Sequence, residues 1–255
     1  IEVCDKLKES GAIPLGITGK ASWNPLHIMY LPSWSVTGND WLMQAKKGEI
    51  RFSDQKVVQD SVNFLYTLGQ NDYFPAGFGN IEYTDIMNGF LNGQYAMVWC
   101  QSVYLSQFSE AYDEGRLGFF TIPMNDNKPE YEQKGTIAIQ TGISWSLNQE
   151  KFDAEMERFY QFLLERYTET CYKYDTFPQF DVDPPEDKPQ IMKDFYALMQ
   201  EQTISWSNWD DNCDPVTCQL MDDLVKQLAQ GMITPEDFLS QIDESTATNG
   251  AEYFN

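Results

Sequence analysis

An α/β fold is predicted by three observations: short apolar runs of strand length, longer runs with one apolar face, and glycine or proline between them. Residues 12–17 and 96–99 are the clearest strand-length runs, and Val58, Val62, Leu65 and Leu68 recur at helical spacing. At 255 residues the chain can bury a substantial core, as one large domain or two lobes. Residues 1–11 read as the end of a helix stopped by Gly11, followed by the 12–17 strand. Residues 23–50 hold Trp23, Trp34 and Trp41 among turn residues. Ser53 or Asp54 then caps the helix that carries Val58 to Leu68, and Gly69 ends it. Thr84 caps a short helix with Ile86, Met87, Phe90 and Leu91 on one face, and Gly93 supplies a left-handed stop. Ala96-Met97-Val98-Trp99 reads as a strand buried on both faces.

A helix over 102–114 and a strand over 117–122, closed by Pro123, come next. The polar segment 124–135 reads as a crossing or hinge, and 136–147 as a second extended stretch. Phe152, Met156, Phe159, Tyr160 and Leu163 predict an amphipathic helix over 152–165. Prolines 178, 184, 185 and 189 make 174–189 a loop. Helices follow over 190–202 and 215–230, the second with Pro215 in its first turn. Thr234-Pro235-Glu236-Asp237 is a helix start, and the polar end after Asp243 is expected to fray.

Charge excludes some partners. The 17 Lys and Arg against 39 Asp and Glu leave a net charge of −22, which repels phosphate backbones and anionic membranes. No apolar run approaches the ~18–20 residues of a membrane-spanning helix. His27 is the only histidine, so Ser-His-Asp and Cys-His catalysis and histidine-rich metal sites have no support. His27 reads as structural, and Cys100, at a strand end, as a buried small hydrophobe. Five cysteines include no C-x-x-C pair; Cys213 and Cys218 flank Asp-Pro-Val-Thr, and their spacing leaves both a disulfide and free thiols open. Asp210-Asp211-Asn212-Cys213-Asp214 opens like a calcium loop, but Pro215 stands where glycine is required and Met221 where the bidentate glutamate belongs. No phosphate-binding glycine motif occurs, and no cofactor is expected.

In their order, several pieces resemble the bacterial extracellular solute-binding proteins of ATP-binding-cassette sugar importers, the maltose-binding-protein group. They are Gly11-Ala12-Ile13-Pro14, Phe90-Leu91-Asn92-Gly93 with Ala96-Met97, Gly118-Phe119-Phe120-Thr121-Ile122-Pro123, Phe159-Tyr160-Gln161-Phe162-Leu163 and Thr234-Pro235-Glu236-Asp237-Phe238-Leu239. The resemblance implies a periplasmic-binding-protein-like α/β fold of two lobes closing over a ligand. Residues 1–123 then form the main part of the second lobe, 124–177 a hinge crossing with a strand and helix of the first, and 178–255 the helical end of the second. Most of the first lobe, which should precede Ile1, is expected to be missing. The resemblance further implies a monomeric carbohydrate carrier serving importer membrane subunits, extracellular or periplasmic, and anchored as a lipoprotein in its full-length form. One departure matters: where many relatives carry a glycine pair and then a tryptophan, this chain has Cys100-Gln101-Ser102-Val103-Tyr104. The stacking ring there falls to Trp99 or Tyr104.

Sugars present an apolar C–H face and a rim of hydroxyls, so their sites combine aromatic plates with carboxylates and amides. Trp23, Trp206 and Trp209 are the expected plates, with Asp210 beside the last. Tyr83 and Asp85 supply a hydroxyl and a carboxylate ahead of the 86–91 helix. Each tryptophan also reads as core filling and Asp85 as a helix-start residue. A glycoside hydrolase or lyase fragment is the alternative function, since abundant carboxylates allow an acid and nucleophile pair. A surface interaction module on a borrowed fold is a third.

Overall fold

The computed structural model describes residues 1–34, 40–121, 146–179, 181–201 and 208–254. They fall into two compact units, one of residues 1–99 and 208–254, the other of residues 100–121, 146–179 and 181–201. The units thus divide after Trp99 and group 100–121 with 146–179 and 181–201.

The first unit is built on a parallel pair. Strand β1 (Ile13–Gly16) pairs with β2 (Tyr95–Val98), Ile13 opposite Tyr95 and Leu15 opposite Met97. Helix α1 (Glu2–Glu9) leads into β1 through Gly11, and α5 (Tyr83–Leu91) leads into β2 through Gly93, each glycine at positive φ. Between them lie α2 (Trp23–Trp34), α3 (Asp40–Lys46) and α4 (Lys56–Gln70). Helix α9 (Pro215–Ala229) and α10 (Pro235–Ser245) return to pack on α4. The core is the apolar face of α4, namely Val58, Val62, Leu65 and Leu68, against α2 and against Met221, Val225 and Leu228 of α9. Thr234 closes a capping box with Asp237 at the start of α10.

Several local expectations are corrected. Thr84 does not cap α5; the helix starts one residue earlier, at Tyr83, whose ring is buried against Trp23. Ser53 and Asp54 do not cap α4 but belong to a 3-10 turn, Phe52–Asp54. The buried carboxylate of Asp243 holds that turn by accepting the Phe52 amide at 2.6 Å, and Arg51 Nε reaches the same group at 3.2 Å. Residues 96–98 are half-buried rather than buried on both faces, and Cys100 is half-buried as well. The chain end is not frayed: a π-helical turn, Thr246–Gly250, buries Thr246, whose hydroxyl donates to Ile242 O at 3.1 Å, and α11 (Ala251–Tyr253) follows.

In the second unit a 3-10 segment, Ser102–Phe108, and α6 (Ser109–Asp113) replace the single helix expected over 102–114. Residues 117–121 carry no strand. Helix α7 (Ala154–Lys173) is capped by Asp153 and outruns its expected end at 165; it buries Tyr172 and leaves Phe152, Met156 and Phe159 exposed. Helix α8 (Gln190–Glu201) packs on α6, where Tyr112 donates to Asp194 Oδ2 at 2.7 Å. Residues 174–179 and 181–189 form the expected loop. The extended stretch 136–147 and the hinge segment 124–135 lie almost wholly outside the described residues.

Gly69 lies inside α4 instead of ending it, because the α9 backbone comes close there. A Cβ at this position would stand 2.0 Å from the carbonyl oxygen of Ala229. In an open helix Gly→Ala would stabilise by about 1 kcal/mol. Here G69A is expected to destabilise by about 1–3 kcal/mol in urea unfolding, since two backbones must separate. A variant as stable as the parent would refute this packing of α4 on α9.

Candidate functional site

Parallel pairing puts the carboxyl ends of β1 and β2 at one edge, where open α/β folds place their ligands. Past β1 the chain turns through Thr18, whose amide donates to Asn24 Oδ1 at 3.1 Å and whose hydroxyl donates to Ile81 O. Trp23 then opens α2, and His27 follows one helical turn later on the same face. Past β2 comes Trp99. The Trp23 ring centroid lies 4.7 Å from Tyr83, 5.9 Å from Trp99 and 5.7 Å from His27, and His27 lies 4.7 Å from Trp99. Tyr83 donates through its hydroxyl to Trp99 O at 3.4 Å.

The cluster has an inner and an outer layer. His27 and Tyr83 are 4% and 8% exposed, whereas Trp23 and Trp99 are half-buried and keep part of their indoles in water. Close in sequence to Trp23 and Tyr83, Lys20 pairs with Glu82, and Asp85 is exposed in the first turn of α5. Two half-buried indoles suit a ligand with an apolar face.

His27 is held neutral. Burial lowers its pKa to about 4, with the charge of Asp211 working weakly the other way. Its Nε2 lies 3.3 Å from Asn208 Nδ2; with the amide as donor, the ring proton sits on Nδ1. Among the described residues neither His27 Nδ1 nor the buried Trp34 Nε1 has a hydrogen-bond partner. Protonating this imidazole would place a charge among four rings.

Trp209 lies elsewhere. It is 2% exposed and surrounded by Tyr30 at 4.9 Å, Phe52 at 5.8 Å and Trp41 at 6.4 Å, so it is a core residue with no open face. Asp210 accepts from Tyr30 Oη at 2.9 Å, and burial raises both pKa values. Tyr30, 6.3 Å from His27, links this core to the first cluster. Lys46, itself buried, donates to the carbonyls of Asn208 and Asp211 and pins the turn that carries Trp209.

Of the sequence-derived site residues, Trp23, Tyr83 and Trp99 come together. Asp85 is on the surface near Tyr83, Tyr104 is half-buried in the second unit, and Trp206 lies outside the described residues. His27 is buried and structural, as its sequence reading had it, whereas the contact of Asn208 with it escaped that reading; the four-residue spacing from Trp23 to His27 was the available signal that the two rings meet. Among the described residues no group of three or more His, Cys, Asp or Glu could hold a metal ion.

No family model and no curated protein matches the chain. Solved structures do match. A chitin oligosaccharide binding protein superposes with a TM-score of 0.77 at 18% identity, covering 99% of this chain and 63% of that one. RafE, solved in complex with raffinose, matches with a TM-score of 0.67 at 17% identity over 98% of this chain and 65% of its own. A sugar transporter from Bacillus licheniformis, in complex with stachyose, gives 0.65 at 14% identity over 96% and 64%. The chain therefore has the α/β, periplasmic-binding-protein-like fold of these proteins and spans under two thirds of their length.

His27 makes stability depend on pH. Its folded pKa lies below its unfolded value of 6.5, so between pH 6.5 and about 4 only the unfolded chain takes up the proton. Stability should fall by about 3 kcal/mol over that window as pH drops. In H27Q this component should vanish, which urea titrations at pH 7 and 4.5 would register. An identical pH slope in the variant would show that His27 is not buried neutral.

Proposed function

We propose that this chain is part of an extracellular or periplasmic receptor that binds a carbohydrate, of oligosaccharide size, and delivers it to a membrane importer. The observation that carries this reading is the pair of half-open indoles, Trp23 and Trp99, at the carboxyl edge of β1 and β2. The shared fold supports it, because the matching structures are a chitin oligosaccharide binding protein and proteins in complex with raffinose and with stachyose. Trp23 and Trp99 stack on the sugar ring, and Tyr83 and His27 set the angle of those plates. Asp85 supplies a carboxylate to the hydroxyls. In the whole receptor a second lobe closes over the ligand, so that contacts from both sides favour the closed form. The receptor acts as a monomer anchored by a lipid at the membrane surface.

The ligand is held without turnover. A bound saccharide recovered intact after long incubation supports this; release of shorter sugars would favour the hydrolase reading.

Calorimetric titration against a panel of oligosaccharides tests the site. Trp23→Ala and Trp99→Ala should each weaken binding about tenfold, the loss of one stacked ring. Binding unchanged in the double variant would remove the site from this edge.

A further inference from the structure

Two of the five cysteines occupy the two ends of a helix-start motif. Asp214 caps α9 by accepting the Thr217 amide at 2.8 Å, with Pro215 in the first helical position. In that register Cys213 directly precedes the cap and Cys218 is the fourth helical residue. In many capped helix starts the side chains at those two positions pack on each other, a contact normally made by two apolar residues. The sulfurs also share surroundings. Cys218 Sγ donates to Asp210 O at 3.0 Å, and Cys213 Sγ lies 3.8 Å from Asp214 Oδ2. The turn between these acceptors is fixed by Lys46 and by Asn212, which takes a left-handed φ of 50°.

We propose that Cys213 and Cys218 form a disulfide, which ties the turn carrying Asn208 and Trp209 to the first turn of α9 whenever the chain meets a disulfide oxidant. The S–S bond forms as the two thiols give up two protons and two electrons. A small disulfide such as oxidised glutathione accepts them, its own S–S bond breaking to leave two thiols. The exchange is slow at neutral pH, because the thiolate that must attack is scarce. Burial, with Asp214 beside it, pushes the Cys213 thiol up to about 12. Burial, with Asp210, Asp222 and Asp214, pushes Cys218 up to about 11, and Lys46 opposes both shifts. All five cysteines are free thiols in this structure, so the proposed bond is an oxidation of the state seen here; the remaining cysteines stand on other elements, Cys4 on α1, Cys100 just past β2 and Cys171 on α7. This assignment is independent of the sugar-binding reading.

The test uses the full chain. It is incubated with oxidised glutathione at mildly alkaline pH, unfolded without reductant, alkylated with iodoacetamide and mapped by peptide mass. The expected product is two hydrogens lighter, with Cys213 and Cys218 protected and the other cysteines alkylated, and with Tm raised by about 5 °C. Cys213→Ala should expose Cys218 to alkylation and lose the rise in Tm. A variant with Cys4, Cys100 and Cys171 all changed to Ala should keep both effects; should it fail to fold, the parent peptide map still decides. Alkylation of both residues after exhaustive oxidation would overturn the proposal. So would a stable mixed disulfide with glutathione, or a bridge to a third cysteine.

Discussion

Everything at the ring cluster depends on β1 and β2 running parallel. With Gly16 opposite Val98, the next residues of both strands leave the sheet at the same edge. Trp99 is therefore delivered next to the start of α2, and Trp23 and His27 meet it from the other side. An antiparallel pairing would send the two strand ends apart, and no set of side-chain preferences could reassemble the rings. Two short strands are a small scaffold for such an outcome. They are supported by α1 and α5, each entering its strand through a tight turn, and α2 is braced from behind by α4 and α9.

Within that frame, burial separates an inner layer of rings from an outer one. His27 and Tyr83 are enclosed and hold their neighbours through ring edges and one hydrogen bond, whereas Trp23 and Trp99 keep part of their surface in water. An enclosed histidine must stay neutral, and its environment of rings with one amide partner enforces that. Asn208 connects the cluster to the 208–214 turn, which Lys46 and Tyr30 bind to the rest of the unit. The outer rings thus rest on a continuous packed layer and not on a mobile loop.

Much of this was readable in the residues. Helical periodicity located α4, Pro215 marked the start of α9, and hydroxyl, proline and acid in succession marked the start of α10. The apolar run after Gly93 located β2. What escaped was tertiary in origin. Ser53 and Asp54 look like caps, yet a carboxylate distant in sequence, Asp243, takes the amides of that turn. Gly69 looks like a helix stop and instead serves a close crossing with Ala229. At the site, Trp23 and Tyr83 could be named from their rings and their place in the chain, and Trp99 from the family resemblance. Trp209 could not be sorted from them, because polar neighbours in sequence do not reveal a pocket of Tyr30, Trp41 and Phe52 in space.

The solitary imidazole offers the most direct check that Trp23 and Trp99 form the saccharide-facing surface. With one histidine in the chain, the His27 ring resonances can be followed by NMR while an oligosaccharide that gives binding heat is titrated. A sugar stacking on Trp99, whose ring centroid lies 4.7 Å from that imidazole, should shift those resonances in step with the heat. Saturable binding that leaves the His27 resonances unmoved would contradict the account.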